Sequence, residues 1–283
     1  MLIATLIVVG LCLAAGTAMA AVGVQARPDK PDPQSLVAVG LLADRTAIAP
    51  GESARVGVHL QVAPGWHVLW KHPGDAGAAT TVSFEGGDVG EVSYPAPVML
   101  EAGTRQMYAL PSEALLATTL QAPAGARQVE LVAEVRYTVT DGSQALPGTQ
   151  RVSLTLPVAA DAGPSEHEAR FDDHASHVPE PAGESELVSR VHVLPDGNTV
   201  VFEVTQKVLA AELFVVSPAK VSVFDRDVAV KGSQVVVKLG VRPYAAFDRR
   251  PTPMDLVLRL KTAEQAWTVS QRLLYDGTTL EQE

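Results

Sequence analysis

The sequence predicts an all-β fold of two β-sandwich modules in tandem. Three observations carry this. Short apolar runs alternate with polar residues at a period of two along most of the chain. Each run is bounded by Gly, Pro, Asn or Asp. Beyond the first twenty residues, no stretch has the apolar spacing of a long amphipathic helix. A chain of 283 residues also exceeds the ~100–200 residues of a usual domain, so two domains are expected.

The elements follow in order. Residues 1–20 are uncharged and end in Ala18-Met19-Ala20, a small-x-small cleavage pattern, and read as a secretory signal peptide. The uncharged run from Met1 to Ala26 is also long enough to span a bilayer, so a membrane association is expected only if this segment stays uncleaved. Residues 21–35, AVGVQARPDKPDPQS, read as a flexible leader. The first sandwich is expected over 36–158, with strands in 36–48, 54–62, 81–86, 131–139 and 151–158; Val56, Val58 and Leu60 share one face. Residues 159–187, rich in acidic, His and Pro residues, read as a linker with one helical turn. A second, smaller sandwich is expected over 188–283, its first hairpin turning at Pro195-Asp196-Gly197-Asn198.

Composition excludes several functions. Thirty-two acidic against 22 basic side chains give a net charge of −10, and the basic residues are scattered, which argues against nucleic acid as a partner. Cys12 is the only cysteine and lies within the signal peptide, so a cleaved chain makes no disulfide and no thiolate metal site. No nucleophile elbow, HExxH or phosphate loop is present, and no cofactor is expected.

One patch stands out: GWHVLWKHPGDAGAAT, residues 65–80. Trp66 and Trp70 in an extended segment suit a sandwich edge, and Asp75 after Pro73-Gly74 suits a turn whose carboxylate caps backbone N–H groups. The alternative is a docking surface in which Trp66, Trp70, His72 and Asp75 meet a protein partner. Together with SYPAP (93–97), YALPSEALL from Tyr108, the strand VRYTV and DGSQALPG (141–148), this patch resembles the N-terminal periplasmic domain of DsbD-type thiol:disulfide interchange proteins, in the branch of the suppressor-of-copper-sensitivity B proteins. The resemblance covers 36–158 in motif order and, more loosely, 188–275. It implies two immunoglobulin-like modules, a periplasmic location, and a thioredoxin-fold protein, a membrane redox protein or a cytochrome-maturation component as partner.

The resemblance also marks a departure. Its relatives carry a cysteine pair in the loop after the strand matching VRYTV; here those positions hold Thr140 and Gln144, or Asp141 and Ala145 under a one-residue shift. Only a thiolate attacks a disulfide sulfur, so this chain does not run that reaction itself. The expected function is non-catalytic docking through the 140–147 loop, with Tyr108 among the contact residues. The alternatives are an accessory subunit in thiol-disulfide exchange, and copper or zinc binding through His167, His174 and His177 in the acidic linker.

Overall fold

The computed structural model describes residues 30–102, 105–217, 221–244 and 250–283. The expected signal peptide and the leader up to residue 29 lie outside the described residues. Among the described residues no helix is long and apolar enough to cross a membrane.

The first sandwich begins with a short helix α1 (Pro33–Leu36), capped by the Asp32 side chain accepting from Gln34 N. Tyr137 Oη donates to Pro33 O, so the end of the expected leader is pinned to the sandwich. Ten strands follow: β1 (Val37–Ala43), β2 (Ser53–Val62), β3 (His67–Gly74), β4 (Thr81–Glu85), β5 (Asp88–Val89), β6 (Val98–Ala102), β7 (Arg105–Ala109), β8 (Glu113–Gln121), β9 (Gln128–Thr140) and β10 (Ala145–Pro157). They form one sheet in the order β1-β2-β8-β5 and a second in the order β10-β9-β3-β7-β6, with β4 also on β9. Strand β9 buries Val129, Leu131, Ala133, Val135, Tyr137 and Val139 on one face, in alternation up to Tyr137, beyond which Thr138 and Thr140 are buried as well. This row meets Val56, Val58 and Leu60 of β2 in one core that also holds Trp70 and Tyr108. Period-two burial of this kind is what a pleated strand with one face on a core requires.

Residues 168–177 correct the expected linker. They form helix α2 (Glu168–His177), ten residues long, where the sequence predicts a single helical turn. Phe171 and His174, three residues apart, are its buried residues. Phe171 packs on Leu115, Ala117 and Leu42, on the outer face of the first sheet. Arg55 reinforces the seat: its Nη1 pairs with Asp172 at 2.8 Å, its Nε with Asp44 at 2.7 Å, and its guanidinium lies 5.5 Å from the Phe171 ring centroid. Because α2 covers this face, β8 is apolar on both sides. Its sequence, EALLATTLQ, therefore lacks the alternation by which a half-exposed strand is recognised.

The second sandwich consists of β11 (Glu180–Pro181), β12 (Val188–Val193), β13 (Thr199–Val204), β14 (Ala210–Val216), β15 (Val221–Lys231), β16 (Gln234–Pro243), β17 (Thr252–Lys261), β18 (Ala266–Tyr275) and β19 (Leu280–Gln282). One sheet runs β11-β18-β17-β14 with β19 on β18, the other β12-β13-β16-β15. Its core gathers Phe202, Leu213, Val235, Val237, Leu256, Leu258 and Leu273. The two sandwiches also share packing, since Phe214, Val216 and Val257 belong to the core cluster of the first. The all-β reading of the sequence stands.

Candidate functional site

The hairpin between β9 and β10 is closed by the facing pair Thr140 and Ala145. Its turn is held by side chains that imitate backbone partners. Asp141 Oδ1 accepts from Ser143 N at 2.9 Å, Gln144 N at 2.8 Å and Ser143 Oγ at 2.8 Å. These bonds, with that from Gln144 N the strongest, hold the Asp141 carboxyl far below the usual carboxylate range. Thr140 Oγ1 donates to Gln144 O at 2.6 Å and accepts from Gly142 N at 3.0 Å. Gly142 has φ +88°, a left-handed conformation suited to glycine. The turn is thus ordered by its own residues.

Beside it lies the turn that ends β3. Gly74 has φ +79°, and a Cβ there would collide with Gln106 O, so only glycine fits. Asp75 N donates to Gln106 O and Gln106 N donates to Asp75 Oδ2, each at 2.9 Å. Asp75 Oδ1 accepts from Arg226 Nη2 at 2.7 Å. Hydrogen bonds from Arg226 and from Gln106 N lower the Asp75 pKa, against the opposing effect of its burial. The expected capping role of this carboxylate is present, and its ion pair with Arg226 is an addition.

The two turns enclose a cavity of about 260 Å³ lined by Leu69, Ala76, Gly77, Arg105, Met107, Thr140 and the segment 142–145. Of the residues singled out in the sequence, Thr140, Gln144 and Ala145 line it, and Asp141, which does not, holds the turn that carries them. Asp75 stands one residue from Ala76 on its wall. Trp66, Trp70, His72 and Tyr108 do not line it. Trp70 is wholly buried, with Nε1 donating to Pro95 O at 2.9 Å, and Trp66 packs half-buried against the same core. His72 meets the Trp70 ring edge-on at 5.9 Å, and desolvation together with nearby Lys71 lowers its pKa. Tyr108 is wholly buried and its hydroxyl accepts from Val215 N at 3.2 Å, so it faces the second sandwich. The lining residues Arg105 and Met107 escape sequence reading because β7 carries no recognisable alternation. Gly77 is visible inside PGDAG.

The linker histidines are placed separately. His174 is 7% exposed, and its Nε2 lies 2.9 Å from Ser93 Oγ. Ser93 Oγ donates its one proton to Ala117 O at 2.9 Å, so His174 Nε2 is the donor between them. The ring therefore does not serve as a base toward Ser93. Burial pushes the His174 pKa down to about 4. His177 Nδ1 lies 2.8 Å from Asp173 O, and His167 Nε2 is 3.7 Å from Glu166 Oε1. Among the described residues, no group of three or more His, Cys, Asp or Glu side chains is arranged to hold a metal.

Comparison with known proteins shows what the chain resembles. Residues 38–141 match the family described as thiol:disulfide interchange protein DsbD, N-terminal. The N-terminal periplasmic domain of ScsB from Proteus mirabilis superposes with a TM-score of 0.62 at 16% identity, over 87% of this chain and 95% of that one, so the likeness of fold extends across both sandwiches. The reduced N-terminal domain of DsbD from Neisseria meningitidis aligns at 14% identity over 49% of this chain and 97% of that one, with a TM-score of 0.32. No curated protein matches the sequence. Residues 38–141 thus resemble the DsbD N-terminal domain, with Thr140 to Ala145 and no cysteine at the hairpin.

Proposed function

We propose that the protein is an exported, non-catalytic docking module that binds a thioredoxin-fold protein in the periplasm through the cavity at the β9–β10 hairpin. One observation carries the reading. The hairpin that the sequence resemblance equates with the relatives' cysteine loop is an ordered turn beside a small concavity and carries no cysteine. Decay of a useless loop would not need Thr140 and Asp141 both committed to holding its backbone. The cavity suits an inserted side chain or strand edge: Leu69 and Met107 give it an apolar floor, while Arg105 and Gln144 offer donors at the mouth. Binding without a thiolate leaves the partner's own disulfide chemistry untouched.

The test is in-cell crosslinking from a photoreactive residue replacing Ser143, with a control probe replacing Ser233 on the second sandwich. Capture of an identified thioredoxin-fold protein from position 143 alone supports the reading. Equal capture from both positions, or none from 143, overturns it. An accessory role in thiol-disulfide exchange would show, in addition, as a changed rate of disulfide reduction in the captured partner when this chain is added.

A further inference from the structure

We infer that Arg226, on the second sandwich, is the positioning residue of the docking cavity on the first; this rests on the docking reading above. Its side chain is only 15% exposed. Its guanidinium donates from Nη2 to Asp75 Oδ1 at 2.7 Å and from Nη1 to Gln106 Oε1 at 3.2 Å. Asp75 immediately precedes Ala76 and Gly77, which form one wall of the cavity. Gln106 stands between Arg105 and Met107, which form another. One planar group therefore grips the residue adjacent to each wall and reinforces the direct pairing of Asp75 with Gln106 that spaces them.

The arrangement needs arginine. A guanidinium presents donors in a rigid fork and reaches two acceptors at fixed separation, whereas an ammonium is a single flexible point charge. Nη2 also donates to Val223 O at 3.3 Å, which ties the side chain to its own strand. No described residue of the second sandwich lines the cavity, yet its shape depends on that sandwich being in place. Docking strength is thus a property of the full chain, and Arg226 is the specific link.

The test uses the full chain with the photoreactive residue at position 143 and reads two quantities. One is the yield of the thioredoxin-fold adduct; the other is amide hydrogen exchange at Asp75 and Gln106 in the purified protein. Arg226→Gln is expected to lower adduct yield roughly three- to tenfold and to speed exchange at both amides. Arg226→Lys should fall between, since it satisfies one acceptor. Arg259→Ala removes a different contact of the junction, the bond from Nη2 to Pro97 O, and should leave both readouts unchanged. Equal loss in Arg259→Ala would assign the effect to general loosening of the two sandwiches and overturn the inference. Unchanged capture and exchange in Arg226→Gln overturns it as well. Absence of any thioredoxin-fold adduct from the unsubstituted chain overturns the docking reading and this role together, whereas an adduct indifferent to Arg226 overturns the role alone.

Discussion

Tyr108 and Phe214 meet edge to face across the junction of the two sandwiches, ring centroids 5.3 Å apart and planes at 79°. Both are wholly buried, and the Tyr108 hydroxyl caps the amide of Val215, the next residue after Phe214. Aromatic pairs in this geometry contribute beyond their buried area. Phe214→Ala is expected to cost about 3–5 kcal/mol. Tyr108→Phe, which leaves the Val215 N–H without that partner, is expected to cost about 1–2 kcal/mol. Denaturant unfolding of each variant and of the pair checks this; additive losses would show that the Tyr108 hydroxyl is not coupled to the Phe214 ring.

Acid sensitivity is expected from α2. The folded His174 has its pKa lowered to about 4 by burial, while an unfolded histidine titrates near 6.5. The folded state therefore binds fewer protons between these values, and stability present above about pH 6.5 is lost as pH falls toward 4. The loss is on the order of 1–2 kcal/mol after allowing for solvent screening. His72, also lowered by burial, acts in the same direction. Asp75 and Glu113 are shifted down by their partners and weaken the fold only at more acid pH. Melting temperature against pH should slope less from 6.5 to 4 in His174→Gln; an unchanged slope would place the effect elsewhere.

Thr140 and Ala145 face each other in the antiparallel ladder. Directly opposed Cα atoms lie roughly 4.5–5.5 Å apart, within the span a disulfide bridges. Thr140→Cys with Ala145→Cys is expected to oxidise to an intramolecular bond, seen as a loss of about two mass units and of free thiols. Two free thiols persisting under oxidising conditions would mean that the hairpin ends splay in solution.

Two glycines separate backbone strain from steric clash. At Gly142, φ is +88° and the space a Cβ would fill is open, so Gly142→Ala should cost about 1 kcal/mol. At Gly74, positive φ combines with the close approach of Gln106 O, and Gly74→Ala should cost about 3 kcal/mol or more. Comparable melting temperatures for the two variants would contradict the packing at the β3 turn.

Much of the fold is legible in the sequence because burial on one face writes a period of two into β2, most of β9, and β16. What escapes does so for physical reasons. Residues Glu113–Gln121 bury both faces, one in the core and one beneath Phe171, so their pattern is not that of an alternating strand. Helix α2 has only Phe171 and His174 as its buried residues, too few for a periodic signal. At the site, the turn chemistry of Asp75 and the hairpin residues Thr140, Asp141 and Gln144 can be read locally. Arg226 cannot: it pairs with Asp75 across 151 positions, and nothing near either residue announces the other.

The seat of α2 bears on how this protein can be cut. A fragment ending at residue 158, where the last strand of the first sandwich closes, would leave Leu42, Leu115 and Ala117 without Phe171 above them. Such an excised piece would present an oily strip on an otherwise finished sheet and self-associate at working concentrations. A fragment extended through Val178 would cover that strip but still bare Tyr108, which packs on Phe214, so covering both apolar surfaces takes both sandwiches.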